Sequence, residues 1–123
     1  MPSRSANEQW AKEIANGISQ VYKDLYGRGP ETINVYAVRG HGVLCVLRGT
    51  HSPAERTQVE VGEAHRVRET RALIQTARRE ETFRVVEAAT NRRVEQYVPG
   101  YDPEADVASE LFLLEPDPAD SPG

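Results

Sequence analysis

Apolar residues recur three and four positions apart over the first part of the chain. Trp10, Ile14, Ile18, Val21, Tyr22 and Leu25 fall on one stripe, and Ser5 with Glu8 forms a capping box ahead of them. This spacing predicts a helix from about Ala6 to Tyr26. Gly17 sits inside it at a cost of about 1 kcal/mol against Ala, which points to close approach of another backbone. The run Tyr26-Gly27-Arg28-Gly29-Pro30 ends the helix. Gly27 can take the left-handed conformation that closes a helix, while Pro30 forbids continuation and pushes Gly29 toward extended geometry.

The period then falls to two. Thr32 to Val38 reads as a strand with Ile33, Val35 and Ala37 on one face and Asn34, Tyr36 and Val38 on the other. Arg39-Gly40-His41-Gly42 supplies a turn, and Val43-Leu44-Cys45-Val46-Leu47 is continuously apolar, which predicts a hairpin whose second strand is central and buried on both faces. Ser52-Pro53-Ala54-Glu55 starts the second helical stretch, with Ser52 as N-cap, Pro53 at the first position and Glu55 reaching back. Helical composition continues to about Ala89, with Gly62 as a break and a longer helix from Glu63. Val59, Val67, Ile74, Ala77, Val85 and Ala88 are available for its buried face. Arg93 to Val98 and Val107 to Leu114 form a second strand pair, joined by a loose connection over Pro99-Gly100-Tyr101-Asp102-Pro103.

The order α-β-β-α-β-β therefore predicts an α+β, two-layer fold with a mainly antiparallel four-stranded sheet and two principal helices. A length of 123 residues suits one domain, placed at residues 1–114, and the acidic, Pro-rich stretch 115–123 reads as a disordered tail. Strands Val43 to Leu47 and Leu111 to Leu114 offer apolar groups to both faces, whereas two helices cover one face well. An exposed apolar sheet face is the expected remainder, and with it a homo-oligomer, a dimer being the commonest solution.

Composition narrows the function classes. There is no run of about 18 apolar residues, and Met1 to Ala6 has no apolar segment, so neither a membrane span nor a signal peptide is expected. Cys45, the lone cysteine, lies in an apolar strand and points to a reducing cytoplasm and a packing role. The net charge of −4 is unevenly spread: the last 29 residues hold eight acids and no Lys or Arg, leaving 15 bases against 11 acids before them. Thirteen of the bases are Arg, which reads first as codon bias in a GC-rich bacterial genome and only second as phosphate recognition. Along the second helical stretch, Arg66, Arg68, Arg71, Arg78, Arg79 and Arg84 alternate with Glu63, Glu69, Glu80, Glu81 and Glu87. That pattern describes a salt-bridged face, so no nucleic-acid partner is expected.

Candidate chemistry is sparse. Gly27-Arg28-Gly29 has the form of an anion nest, yet it lies at a helix C-terminus, where Arg28 also serves as the cation that caps the last carbonyls. The start of the second helix has the more favourable dipole, and a small oxyanion there would meet Arg48, Thr50 and His51. Arg28, Gly29, Arg48, Thr50 and His51 are thus the candidate anion-binding residues. His51, Glu55 and His65 lack metal-ligand spacing, no catalytic set has a supporting signature, and neither metal nor cofactor is expected.

Tyr26-Gly27-Arg28-Gly29-Pro30 after the first helix, Val43-Leu44-Cys45-Val46-Leu47-Arg48-Gly49 leading into Ser52-Pro53-Ala54-Glu55, then Gly62 and the Arg-rich helix, together resemble the MpsC-like family. The resemblance covers about Ala6 to Leu114. It departs from the family pattern at His51, where an apolar residue is expected, and at Ser52, where Thr is. The family is a small bacterial domain named after a Na+-translocating membrane-potential-generating system. The resemblance implies a link to cation or bicarbonate homeostasis, no catalytic residue, and a protein partner in a membrane system. Three functions follow as expectations: a non-catalytic cytoplasmic accessory or regulatory protein sensing a small anion, an interaction module docking through its apolar sheet face, or a small enzyme using Arg28 or His51.

Overall fold

The computed structural model describes residues 9–116. Its elements are α1 (Gln9–Tyr26), β1 (Thr32–Val38), β2 (Gly42–Arg48), α2 (Pro53–Glu60), α3 (Ala64–Ala77), α4 (Arg79–Thr90), β3 (Val94–Asp102) and β4 (Val107–Leu114). The strands form one antiparallel sheet in the order β1-β2-β4-β3. This is the expected α+β arrangement, and the two continuously apolar strands take the two central places.

Helix α1 buries Ala11, Ile14, Ile18, Val21 and Tyr22, the stripe its spacing predicts. It closes at Gly27, whose φ of +86° lets its N–H reach the Lys23 carbonyl at 2.9 Å. The Ser5 and Glu8 capping box lies outside the described residues. A side chain at Gly17 would meet Val85 Cγ1 at 2.5 Å, so the missing Cβ lets α4 lie against α1. The close neighbour is thus a side chain rather than a backbone.

The β1–β2 turn places Arg39 (φ +31°) and Gly40 (φ +78°) in succession, with the His41 N–H on the Val38 carbonyl at 2.6 Å. Two positive φ values give the backbone twist that a tight hairpin needs. Ser52 caps α2 in a complete capping box: the Ser52 hydroxyl accepts from the Glu55 amide at 3.2 Å, and the Glu55 carboxylate accepts from the Ser52 amide at 2.9 Å.

The second helical stretch is three helices rather than two. Gly62, at φ +85°, makes the expected break, and Arg78 makes another that no Gly or Pro announces. Length supplies the reason. A straight helix over residues 64–90 would run about 40 Å, beyond the roughly 30 Å of the longest strand, so it turns to stay over the sheet. β3 also differs from expectation. It continues through Pro99, Gly100 and Tyr101 to Asp102, and the turn falls at 103–106. Pro99 is tolerated because β3 is an edge strand, where a missing N–H on the outer side breaks no ladder. Glu115 is held by its N–H on the Arg93 carbonyl at 2.9 Å, and residues 117–123 of the expected tail lie outside the described residues.

All helical packing falls on one face of the sheet. Val35, Val43, Cys45, Leu47, Ala108, Phe112 and Leu114 join Ala11, Ile14, Ile18, Tyr22 and Val86 in a single core. Strand residues of the opposite parity, among them Tyr36, Leu44, Val46, Leu111 and Val98, are half-buried or exposed, apart from the buried Gly42. Among the described residues no element covers that second face.

Candidate functional site

Two polar groups lie between the sheet and the helices. The first gathers at the start of α2. After Gly49 (φ +68°), the Thr50 N–H and hydroxyl donate to Asp106 Oδ1 at 2.8 and 3.1 Å, and the His51 N–H donates to Asp106 Oδ2 at 3.2 Å. Asp106, in the β3–β4 turn at φ +54°, thus puts its carboxylate on the donors ahead of the helix. The His51 ring is 3% exposed, with Nδ1 3.6 Å from Asp106 Oδ2 and Nε2 hydrogen-bonded to the Tyr101 hydroxyl. Burial lowers the His51 pKa, and the nearby Asp106 and Glu55 carboxylates offset this only in part, so the ring is neutral at pH 7.

Arg71 of α3 locks this corner. It is 1% exposed, and it donates from Nε and Nη2 to the two Glu55 carboxylate oxygens at 2.7 and 2.8 Å and from Nη2 to the Thr50 carbonyl at 3.0 Å. Its guanidinium lies 3.8 Å from the Tyr26 ring centroid and 5.3 Å from that of Tyr101. Burial disfavours both charges, yet their mutual hydrogen bonds win: Glu55 is held below its ordinary value and Arg71 above its own. Deleting Glu55 would strand the buried Arg71 charge at a cost of about 3–5 kcal/mol.

The second group surrounds Glu110, 1% exposed on the covered face of β4. Tyr22 donates its hydroxyl to Oε2 at 2.6 Å, Gln75 donates to the same oxygen at 3.1 Å, and Tyr97 donates to Oε1. Burial raises the Glu110 pKa against the lowering pull of these hydrogen bonds. Burial also raises Tyr22, Tyr97 and the Cys45 thiol, with the Glu110 charge adding to each. Every buried side-chain nitrogen and oxygen among the described residues has a hydrogen-bond partner. A polar interior so fully satisfied fastens α3 to the sheet, a helix that otherwise buries only Val67 and Arg71.

Of the five anion candidates, Thr50 and His51 meet at the α2 start, where Asp106 already occupies their donors. Arg28 reaches the edge of the group, with Nη1 donating to the His51 carbonyl at 3.4 Å and Nη2 3.6 Å from Glu31. Gly29 stands against α1, 3.4 Å from the Ser19 carbonyl by its missing Cβ. Arg48 points from the end of β2 onto the open sheet face and is exposed. The sequence reading missed Arg71, Tyr101, Asp106 and Glu110. Two of these carried a signal: Arg71 falls on the apolar stripe with Val67 and Ile74, and Glu110 shares the inward parity of Ala108 and Phe112.

The open face has its own order. Strand register aligns Tyr36, Leu44, Leu111 and Val98 in one row across all four strands. Tyr36 is 37% and Val98 53% exposed, so the row is open at both rims. Val46 and Leu113 extend it on either side, and the end row is Thr32, Arg48, Val107 and Asp102.

No helix among the described residues is long and apolar enough to cross a membrane. A family model described as "Na+-translocating membrane potential-generating system (MpsC)" matches residues 6–116. No curated protein and no solved structure matches the chain.

Proposed function

Because the chain belongs to the MpsC family, whose description names a Na+-translocating system, we propose that it is a non-catalytic accessory component of a cation-handling membrane system. It works in the cytoplasm by docking its open sheet face onto protein. The observation behind this reading is the apolar row of Tyr36, Leu44, Leu111 and Val98, which no described element covers. A contiguous apolar face on a protein of this size serves an interface. The cytoplasmic placement rests on Cys45, the lone cysteine of the sequence, which has no second cysteine to pair with. Small-anion sensing is the weaker reading, because Asp106 already takes the Thr50 and His51 amides that an oxyanion would use.

A photo-crosslinking amino acid in place of Tyr36, introduced in the cells that make the protein, tests the docking. A discrete protein adduct is expected, lost when Leu44→Lys is added and absent when the crosslinker replaces Leu73, which is exposed on α3 instead. No adduct at position 36, or one indifferent to Leu44→Lys, would remove the face from the account.

A further inference from the structure

Helices α2 and α3 stand apart from the hydrophobic core. Among the described residues, the core and the half-buried apolar side chains packed against it come from α1, α4 and the four strands, and no residue between Pro53 and Ala77 is one of them. No residue of α2 is buried, and α3 buries only Val67 and Arg71. Val59 and Ile74 are half-buried, while Val61 and Leu73 are exposed.

Polar contacts tie this pair of helices down. Beyond the capping box at its start, three side-chain hydrogen bonds join it to the rest of the described chain. Arg71 Nη2 donates to the Thr50 carbonyl at 3.0 Å, Arg68 Nη1 to the Tyr101 carbonyl at 3.0 Å, and Gln75 Nε2 to Glu110 Oε2 at 3.1 Å. Arg71 adds its contacts with the Tyr26 and Tyr101 rings. The Arg71–Glu55 pair is different in kind, because both partners lie within the two helices. It holds α2 to α3 and does not resist their leaving the sheet together. Each of the three external bonds is exchanged for a bond to water when the helices lift, so its net contribution is small, whereas lifting α1 or α4 exposes core side chains. Opening also returns water to Arg71 and Glu110, each 1% exposed, which offsets part of the loss.

The backbone is broken at both ends of the pair. At one end the Thr50 and His51 amides are anchored to Asp106, and Ser52 follows in an extended conformation at φ −71° and ψ 163°. At the other, Arg78 leaves helical geometry at φ −114° and ψ 19° before α4 begins. Residues at the ends of elements are the ones that absorb the torsion changes of a hinge.

The geometry points to α2 and α3 as a lid: residues 53–77 lift as one body, hinged at Ser52 and Arg78, and uncover Glu110 with the Tyr22 and Tyr97 hydroxyls bonded to it while the core stays folded. The lid lies on the helix-covered side of the sheet and is independent of the docking reading for the open face.

Native-state hydrogen exchange of the full chain, read by mass spectrometry, tests the lid. Amides of α2 and α3 should share one opening equilibrium, about a hundredfold or more larger than that of the slowest amides in β2 and β4. Gln75→Ala removes one latch and should speed exchange in α2 and α3 by roughly two- to tenfold, leaving β2 and β4 unchanged. Val86→Ala cuts into the core of α4 and should do the reverse, speeding β2 and β4 by about tenfold or more with no effect on α2 and α3. Should that variant fail to fold, wild type and Gln75→Ala decide alone. Amides of α2 and α3 as slow as those of β2 and β4, opening of the two helices at unrelated rates, or a Gln75→Ala effect spread evenly over the chain would overturn the lid.

Discussion

Glu110 is the residue on which burial and chemistry pull hardest against each other. Its carboxyl faces Tyr22 and Tyr26 from α1, Gln75 and Arg71 from α3, Tyr97 from β3 and Cys45 from β2. Burial is the largest influence and raises its pKa in the folded state. A group raised by folding takes up a proton as the chain folds. Its contribution to stability is full below the unfolded carboxyl value, near ~4.3, and is lost as pH rises through the folded one. Glu55 and His51 are lowered, so their contributions run the other way and fade as pH falls. Glu110→Gln should therefore remove a component of stability that declines with rising pH. Urea midpoints of wild type and variant from pH 4.5 upward check this: the difference between them should change with pH, and parallel curves would mean that Glu110 ionises in the fold as it does unfolded. No motif announces this residue. Only the parity of Ala108, Glu110 and Phe112 hints that a carboxyl stands on the covered face.

At the scale of elements, local signals of backbone geometry were the most legible. The Ser52 capping box, the Gly27 terminus and the Gly40 turn form where their residue types place them, since each is fixed by steric rules acting over a few residues. The break at Arg78 and the extension of β3 through Pro99 and Gly100 were not legible. Both follow from what the rest of the fold supplies: a sheet too short for one long helix, and a neighbour, β4, that pairs only one side of β3. The candidate site was legible for the same reason only in part. Thr50 and His51 are local to the α2 start, whereas Asp106, 55 residues beyond His51, reaches them by tertiary folding alone. Gly27 gives the local rule a direct check. A Cβ there would meet nothing within 4 Å, so the cost of Gly27→Val comes from its positive φ rather than from a clash. It should destabilise the protein by at least about 1 kcal/mol, read as a lower melting temperature, and an unchanged value would remove the left-handed terminus from the description.

The whole molecule divides its two sheet faces between different tasks. One face holds the core and the satisfied polar groups that fasten α2 and α3, while the other presents aligned apolar side chains outward. The hydrophobic pattern foretold an uncovered apolar face, but the continuous run of β2 also read as buried on both faces, whereas Leu44 and Val46 are only half-buried because the described helices pack on one side. It did not foretell the alignment into rows, which depends on register across three strand pairs. Thiol labelling at the rim of the open face tests most directly whether that face is the working surface. Val98→Cys introduces a thiol at a position 53% exposed in the protomer, and Cys45 is fully buried and stays silent. Leu73→Cys, at a position 70% exposed on α3, serves as the reference. In the cells that make the protein, labelling at position 98 should be slowed relative to position 73 when compared with the purified chain at high dilution, because a docked partner covers the rim of the face. A ratio of the two rates that is the same in cells and on the purified chain would contradict the account.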